Sequence, residues 1–256
     1  MKAVILAGGF GSRLSEETDR MPKPLVQIGH MPILWHIMKI YAHHGIKEFV
    51  VCLGYKGYMI KEFFLGLRNY STDFTLDLSN GSVDFHSRGK EDWKISLIDT
   101  GEGTMTGGRL KRVRDYVGGE TFCLTYGDGV ANVDITALVA FHRNHRRKAT
   151  VTAVVPPGRF GALHITGQQV ERFSEKIDNL GAYVNGGFFV LEPDCIDYVD
   201  NDATVWEQEP LKRLAAEDQL MAYTHSGFWR PMDTINDKRI LEELWTDGKA
   251  PWKVWA

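Results

Sequence analysis

MKAVILAGGFGSRL, residues 1–14, sets an apolar run, Ala3 to Ala7, directly against a turn that holds Gly8, Gly9 and Gly11 and closes on Arg13 and Leu14. A short apolar run of this kind reads as a strand that ends at Gly8. Glycine at positions 9 and 11 permits a positive φ or the close approach of a ligand, either of which a side chain would obstruct. The turn lacks the third glycine of G-x-G-x-x-G, because Leu14 stands there, and no Lys-Ser or Lys-Thr follows to make a P-loop. It still offers a run of backbone N–H groups and one cation just beyond a strand end, a candidate phosphate cradle. A purely structural turn and a site for some other ligand stay open on these residues alone.

Outward from the turn, ILWHIMKIYAHHGI (33–46) brings Ile33, Leu34, Ile37, Met38 and Tyr41 to one helical face, with Gly45 as its stop. EFVVCL (48–53) reads as a buried strand, and YKGYMIKEFFLGL (55–67) as a helix through Met59, Ile60, Phe63, Phe64 and Leu67. Strand, helix, strand, helix is the rhythm of parallel α/β construction. Residues 71–100 break it: FTLDLS, VDFHS and WKISLID predict a β-rich excursion. TGGRLKRVRDYVGG (106–119) predicts one helix with Leu110, Val113 and Val117 inward, and TFCLTYGDG (121–129) a central buried strand ending in an acidic turn. A helix follows over 134–149 with His142 on its inner side, then the strand ATVTAVV up to Pro156-Pro157. In AYVNGGFFVLEP (182–193) the paired glycines are expected to break a β-forming segment. Pro210 must start, kink or divide the helix of TVWEQEPLKRLAAEDQL (204–220), and Asp233 is the expected cap of the last helix, DTINDKRILEELWTD.

The chain has 256 residues, 30 Lys plus Arg against 33 Asp plus Glu, and a net charge of -3, so no nucleic-acid surface is expected, although a small positive pocket for a phosphorylated ligand is compatible. Cys52, Cys123 and Cys195 are far apart in apolar surroundings and read as small buried hydrophobes in a reducing compartment. No apolar window is long enough to span a membrane, which leads to the expectation of a cytoplasmic protein without membrane partners. The histidines show no metal-ligand spacing, and no Ser-His-Asp or Cys-His arrangement stands out.

Lys23, in MPKPLVQIG (21–29), lies between Pro22 and Pro24, whose restricted backbones deliver the ammonium to a defined place at reduced entropic cost. A solvent-facing lysine in a proline-rich loop is the other reading. With Arg13 and the glycines it suggests a two-cation clamp around a polyphosphate.

LAGGFGSRL followed by PKPLVQI resembles the N-terminal signature L-A-G-G-x-G-T-R-L, with its later lysine, of the sugar-1-phosphate nucleotidylyltransferases. The similarity runs through TGGRLKR, TYGDGVA, PPGRFGAL, VNGGFFVL, WEQEPL, FWRPMDT and PWKVW, nearly the whole chain, and points to the cytidylyl branch that makes CDP-glucose from CTP and α-D-glucose 1-phosphate. The resemblance implies a Rossmann-like α/β core with a mixed, mainly parallel sheet and a β-rich sugar-binding extension. It implies a single nucleotidyltransferase domain over 1–256, its nucleotide-binding part roughly 1–148 and its sugar-binding part roughly 149–256. It also implies Mg²⁺ as cofactor and a homo-oligomer, trimer or hexamer.

Carried over residue by residue, the resemblance assigns Leu6, Ala7, Gly8, Gly9, Gly11, Ser12, Arg13, Lys23, Thr104, Arg109 and Asp128 to CTP. It assigns Gly161, Glu175, Lys176 and Asn185 to the sugar phosphate, and Asp128 and Asp233 to the metal. Arg13, Lys23, Asp128 and Asp233 would carry catalysis. Arg109 could donate to the cytosine carbonyl or to a phosphate, and the cytosine amino group needs an acceptor such as a glycine-loop carbonyl. Ser12, Met21 and Ile177 depart from the usual threonine, basic residue and proline. On residue chemistry alone, Asp128 also fits a turn carboxylate, Asp233 a helix cap and Glu175-Lys176 a surface pair. The implied reaction is in-line attack of a sugar-phosphate oxygen, already anionic at neutral pH, on the α-phosphorus; no general base is required. Rival readings keep the fold with another nucleotide or sugar, or make it a catalytically silent nucleotide sensor.

Overall fold

The computed structural model describes residues 1–87, 89, 91–156, 162–166, 169–174 and 183–256, with backbone alone at 13, 70, 162–166 and 169–174. Seven strands form one sheet: β1 (Ala3–Ala7), β2 (Glu48–Leu53), β3 (Lys94–Asp99), β4 (Phe122–Tyr126), β5 (Ala149–Val154), β6 (Val184–Leu191) and β7 (Leu220–His225). Their order is β7-β5-β6-β4-β1-β2-β3, and every neighbouring pair is parallel except the two made by β6. The sheet is therefore mixed and mainly parallel, as expected. β4 lies at its centre, also as expected.

The apolar run of β1 divides by its period of two. Ala3, Ile5 and Ala7 enter one core with Ile37, Tyr41 and Trp252, whereas Val4 and Leu6 enter another with Leu110, Leu124 and Trp206. Burial on both faces is why no polar residue interrupts it. The helices α1 (Ile33–His43), α2 (Gly57–Ser71), α3 (Thr106–Arg112), α4 (Ile135–His145), α5 (Glu209–Ala216) and α6 (Ile235–Thr246) supply the other half of these cores. Cys52, Cys123 and Cys195 are buried, and burial pushes each thiol up to about 12, so all three stay protonated.

Three local expectations change, and two open ones are resolved. The helix read over 106–119 is two short ones, since Val113 leaves helical geometry (φ −102, ψ 10) between Thr106–Arg112 and Arg114–Val117. Gly186 and Gly187 do not break β6; Gly187 takes φ +79 and the ladder to β5 shifts register there, so the glycines make a bulge. β7 was not expected: LMAYTH carries too little apolar alternation to announce a strand and is an edge strand, half exposed. Pro210 starts α5, where a missing N–H is harmless. In the 71–100 excursion, WKISLID supplies edge strand β3, and the rest is an exposed hairpin, Phe74–Asp77 with Ser82–Phe85.

The chain leaves β1 for β2 and β3 on one side and returns to β4 on the other. β1 and β4 therefore flank a topological switch point, and loops at their carboxyl ends border a crevice. The glycine turn follows β1 there, and Gly127-Asp128 follows β4.

Candidate active site

A cleft of about 720 Å³ opens at that switch point. Leu6, Ala7, Gly8, Gly9, Gly11, Ser12, Lys23, Thr104, Arg109, Asp128, Asn185 and Asp233 all line it. Twelve of the residues named from sequence thus meet in one cavity. Gly161, Glu175 and Lys176 lie outside the described residues, as does the side chain of Arg13.

The glycine turn is shaped for its neighbours. A Cβ on Gly8 would fall 2.2 Å from Arg109 Nη1, and Gly11 sits at φ +65 with its would-be Cβ 2.7 Å from Thr18. Nothing approaches Gly9 within 4 Å, so its open side faces the cleft. Gly127 repeats the close fit: its N–H donates to Leu6 O at 2.9 Å, and a Cβ there would press on that same oxygen.

Lys23 stands in a 3₁₀ turn, Lys23–Leu25, that Pro22 enters extended at ψ 144. Its side chain is 11% exposed, and Nζ donates to Asp128 Oδ2 and to Asp233 Oδ1, each at 2.8 Å. Burial works to lower the Lys23 pKa, but the charges and hydrogen bonds of Asp128 and Asp233 outweigh it and the net shift is upward, so the ammonium stays charged.

The meeting of two carboxylates 105 residues apart in sequence has a local cause. Gly129–Ala131 and Trp229–Pro231 form a small antiparallel ladder, Gly129 opposite Pro231, and Met232 N donates to Asp128 O at 2.8 Å. That ladder sets the two aspartates side by side. Asp233 is not the cap of α6; Thr234 is. Thr234 Oγ1 accepts from Asp237 N, and the Asp237 carboxylate accepts from Thr234 N, a capping box further tied to Arg230 Nη1 at 3.0 Å. Relieved of capping, Asp233 turns its carboxylate to Lys23. Two further contacts anchor α6: Lys238, in its first turn, reaches Glu17 at 2.5 Å, and in its second half Glu242 accepts from Gly29 N at 2.8 Å. Both chain ends are held against one another by these contacts.

Arg109 is buried, and its η nitrogens donate to Leu53 O, Thr100 Oγ1, Gly101 O, Gly8 O and Glu102 O at 2.7–3.0 Å. Those five acceptors belong to the glycine turn, the end of β2 and the 100–102 turn, so Arg109 braces one whole wall. The Gly8 carbonyl also accepts from Tyr55 N, leaving no unshared lone pair for a cytosine amino group.

Reading the sequence missed Tyr126, Glu207, Thr106 and Trp229, all of which line the cleft. Tyr126 OH donates to Glu207 Oε1 and Thr106 Oγ1 to Glu207 Oε2, each at 2.6 Å, while Asn185 Nδ2 donates to Tyr126 OH at 3.0 Å. Their signal was present in WEQEPL and TYGDG, though nothing local marks those side chains as inward.

Among the described residues no group of three or more His, Cys, Asp or Glu gathers into a metal site. The donor set that does form, two carboxylates drawn to one ammonium beside the glycine turn, is of the hard-oxygen kind that suits a divalent cation completing its shell with other oxygen ligands.

Residues 2–234 match the family model described as nucleotidyl transferase. Over 256 residues, all of both chains, the sequence is 58% identical to the glucose-1-phosphate cytidylyltransferase of Salmonella typhimurium. It is 46% identical over the same full span to the probable glucose-1-phosphate cytidylyltransferase of Bacillus subtilis. A solved structure of a putative glucose-1-phosphate thymidylyltransferase from Bacillus anthracis superposes with a TM-score of 0.70 at 18% identity, covering 100% of this chain and 97% of that one.

Proposed function

The chain belongs to the nucleotidyl transferase family, and from that premise we propose that it transfers a cytidylyl group from CTP to α-D-glucose 1-phosphate, forming CDP-D-glucose and diphosphate. Full-length likeness to two relatives named for that reaction supports the choice of substrates. The geometry that carries the chemistry is Lys23 Nζ held at 2.8 Å from both Asp128 and Asp233, on the floor of a cleft roofed by the glycine turn.

Bringing two polyanions into contact is the main barrier, so the residues work by charge and position. Backbone N–H groups of Gly8 to Ser12 and the guanidinium of Arg13 receive the triphosphate. Lys23 swings its ammonium from the carboxylates to the phosphates near the reacting phosphorus. Asp128 and Asp233 would hold a divalent cation, Mg²⁺ in this reading, which when bound would supply neutralisation of the phosphate oxygens. Arg109 acts by bracing the base-side wall that includes Thr104. Gly161, Glu175, Lys176 and Asn185 receive the sugar phosphate, giving residues 1–148 the nucleotide and 149–256 the sugar. Because the attacking oxygen is anionic, no side chain need remove a proton.

The cell compartment in this reading is the cytoplasm, and among the described residues no helix is long and apolar enough to cross a membrane. Self-association as a trimer or hexamer is supported by exposed apolar side chains on and beside the hairpin, Leu65, Phe74, Leu76, Leu78 and Val83. The deciding experiment measures diphosphate release over four nucleoside triphosphates and several sugar 1-phosphates, with and without Mg²⁺. CTP with glucose 1-phosphate is expected to exceed every other pair; a different preferred pair, or CTP binding with no product, refutes the reading.

A further inference from the structure

Glu207 has no role in the reaction as derived so far, yet it lines the same cleft as Lys23 and the glycine turn. Two close contacts fix it. Gly107 and Gly108 of α3 let the chain at 202–204 come so near that an added Cβ would meet Thr204 O at 2.7 Å and Asp202 Cα at 2.6 Å. Met105 N and Gly107 N donate to Asp202 O and Thr204 O, and Arg112 forks onto the Asp202 carboxylate at 2.9 and 2.6 Å. The segment leading to Glu207 is thus zipped to the segment that carries Thr104 and Thr106.

The carboxylate is then oriented by the two hydroxyls at 2.6 Å, Tyr126 from β4 and Thr106 from α3. Tyr126 itself is braced by Asn185 Nδ2 and lies over Gly187, whose absent Cβ would be 2.5 Å from the phenol ring. Asn185 Oδ1 accepts from Gly187 N at 2.8 Å, which holds the amide in turn. An ionised carboxylate only accepts hydrogen bonds and has about four lone-pair sites. Two sites are used by Tyr126 and Thr106, and the others remain on a side chain that lines the cleft. Among the described residues no cation pairs with Glu207.

Resting on the reading of the cleft as a site for CTP and a sugar 1-phosphate, we infer that Glu207 is a specificity-determining residue that accepts hydrogen bonds from the hydroxyls of a neutral hexose 1-phosphate and excludes one carrying a second anionic group, such as a hexuronic acid. Tyr126 is its positioning residue. An unpaired negative charge at a partly desolvated wall repels a sugar carboxylate, whereas hydroxyls are the donors it lacks.

The test compares kcat/KM for glucose 1-phosphate and glucuronic acid 1-phosphate at saturating CTP, in wild type, Glu207→Gln and Tyr126→Phe. Glutamine keeps an acceptor and the side chain's shape but not the charge. The preference for glucose 1-phosphate is expected to fall at least tenfold in Glu207→Gln and about threefold in Tyr126→Phe, with KM for CTP within twofold of wild type in both. A preference unchanged within twofold in Glu207→Gln, or a KM for CTP that rises in step with that for the sugar, overturns the inference. Should Glu207→Gln fail to fold, Tyr126→Phe carries the same comparison, and an unmoved preference there overturns it equally. If wild type favours another nucleotide or hexose 1-phosphate, the reading of the preceding section fails. The ratio for that hexose and its uronic acid then decides Glu207 by the same thresholds.

Discussion

Lys23→Met removes the ammonium and keeps most of the stem. The two carboxylate oxygens that Lys23 holds are each 2.8 Å from Nζ, so they are separated by at most twice that distance. At an effective dielectric constant of about 20, two like charges roughly 5.6 Å apart repel by about 3 kcal/mol. Asp128 and Asp233 side chains are 32% and 20% exposed, and solvent screening trims the net loss of stability to about 1–2 kcal/mol. In wild type the Lys23 pKa is raised from 10.5, so its contribution is complete below that value and disappears only as pH rises through the folded-state pKa. A comparison at pH 8 therefore samples the whole effect. Turnover is expected to fall at least tenfold, about 1.4 kcal/mol or more of transition-state stabilisation. Urea denaturation at pH 8, with and without Mg²⁺, supplies the assay, and Mg²⁺ should raise the variant's midpoint more than that of wild type. Identical midpoints at pH 8, unmoved by Mg²⁺, would refute the claim that the aspartates form one charge-coupled pair bridged by Lys23.

Asp233→Asn should cut diphosphate release at least tenfold with little change in unfolding midpoint, whereas Thr234→Ala should cost about 1 kcal/mol of stability, since Thr234 caps α6; the reverse pattern would reinstate Asp233 as the cap. His36 is lowered to about 4 by burial among Trp245, Trp252 and Trp255. Between pH 6.5 and 4 the unfolded chain binds the extra proton, so stability falls with pH and about 3 kcal/mol is lost by pH 4. His36→Gln should show a flatter acid limb in denaturation, and parallel limbs would contradict this. Gly108→Ala drives a Cβ to 2.6 Å from Asp202 backbone atoms and should destabilise by about 1–3 kcal/mol, read by thermal unfolding.

Strand–helix alternation, the glycine turn and the proline-flanked lysine were legible in the sequence because each is written in a few neighbouring residues. A short apolar run closed by glycines reads as a strand, and of the two glycines expected to hold a special conformation or an approach, Gly11 takes φ +65 while Gly9 has an ordinary φ and open space; the tight contact falls on Gly8 instead. The family motif then named the aspartates, although their chemistry alone fitted a turn and a cap equally well. Tertiary structure excluded the cap for Asp233 and set both carboxylates beside Lys23. The 129–131 and 229–231 ladder brings Asp128 beside Asp233, and the Thr234–Asp237 capping box takes over the helix end, so Asp233 pairs with Lys23. The same holds for Arg109, whose five acceptors come from three segments, and for Glu207, whose partners lie 81 and 101 residues away. Periodicity and turn chemistry act over a few residues, so sequence alone determined most of the elements and the glycine turn, but not edge strand β7 or the division of the 106–117 helix at Val113. The order in which a sheet assembles sets which distant side chains share a dielectric and a hydrogen bond, and no local pattern encodes that.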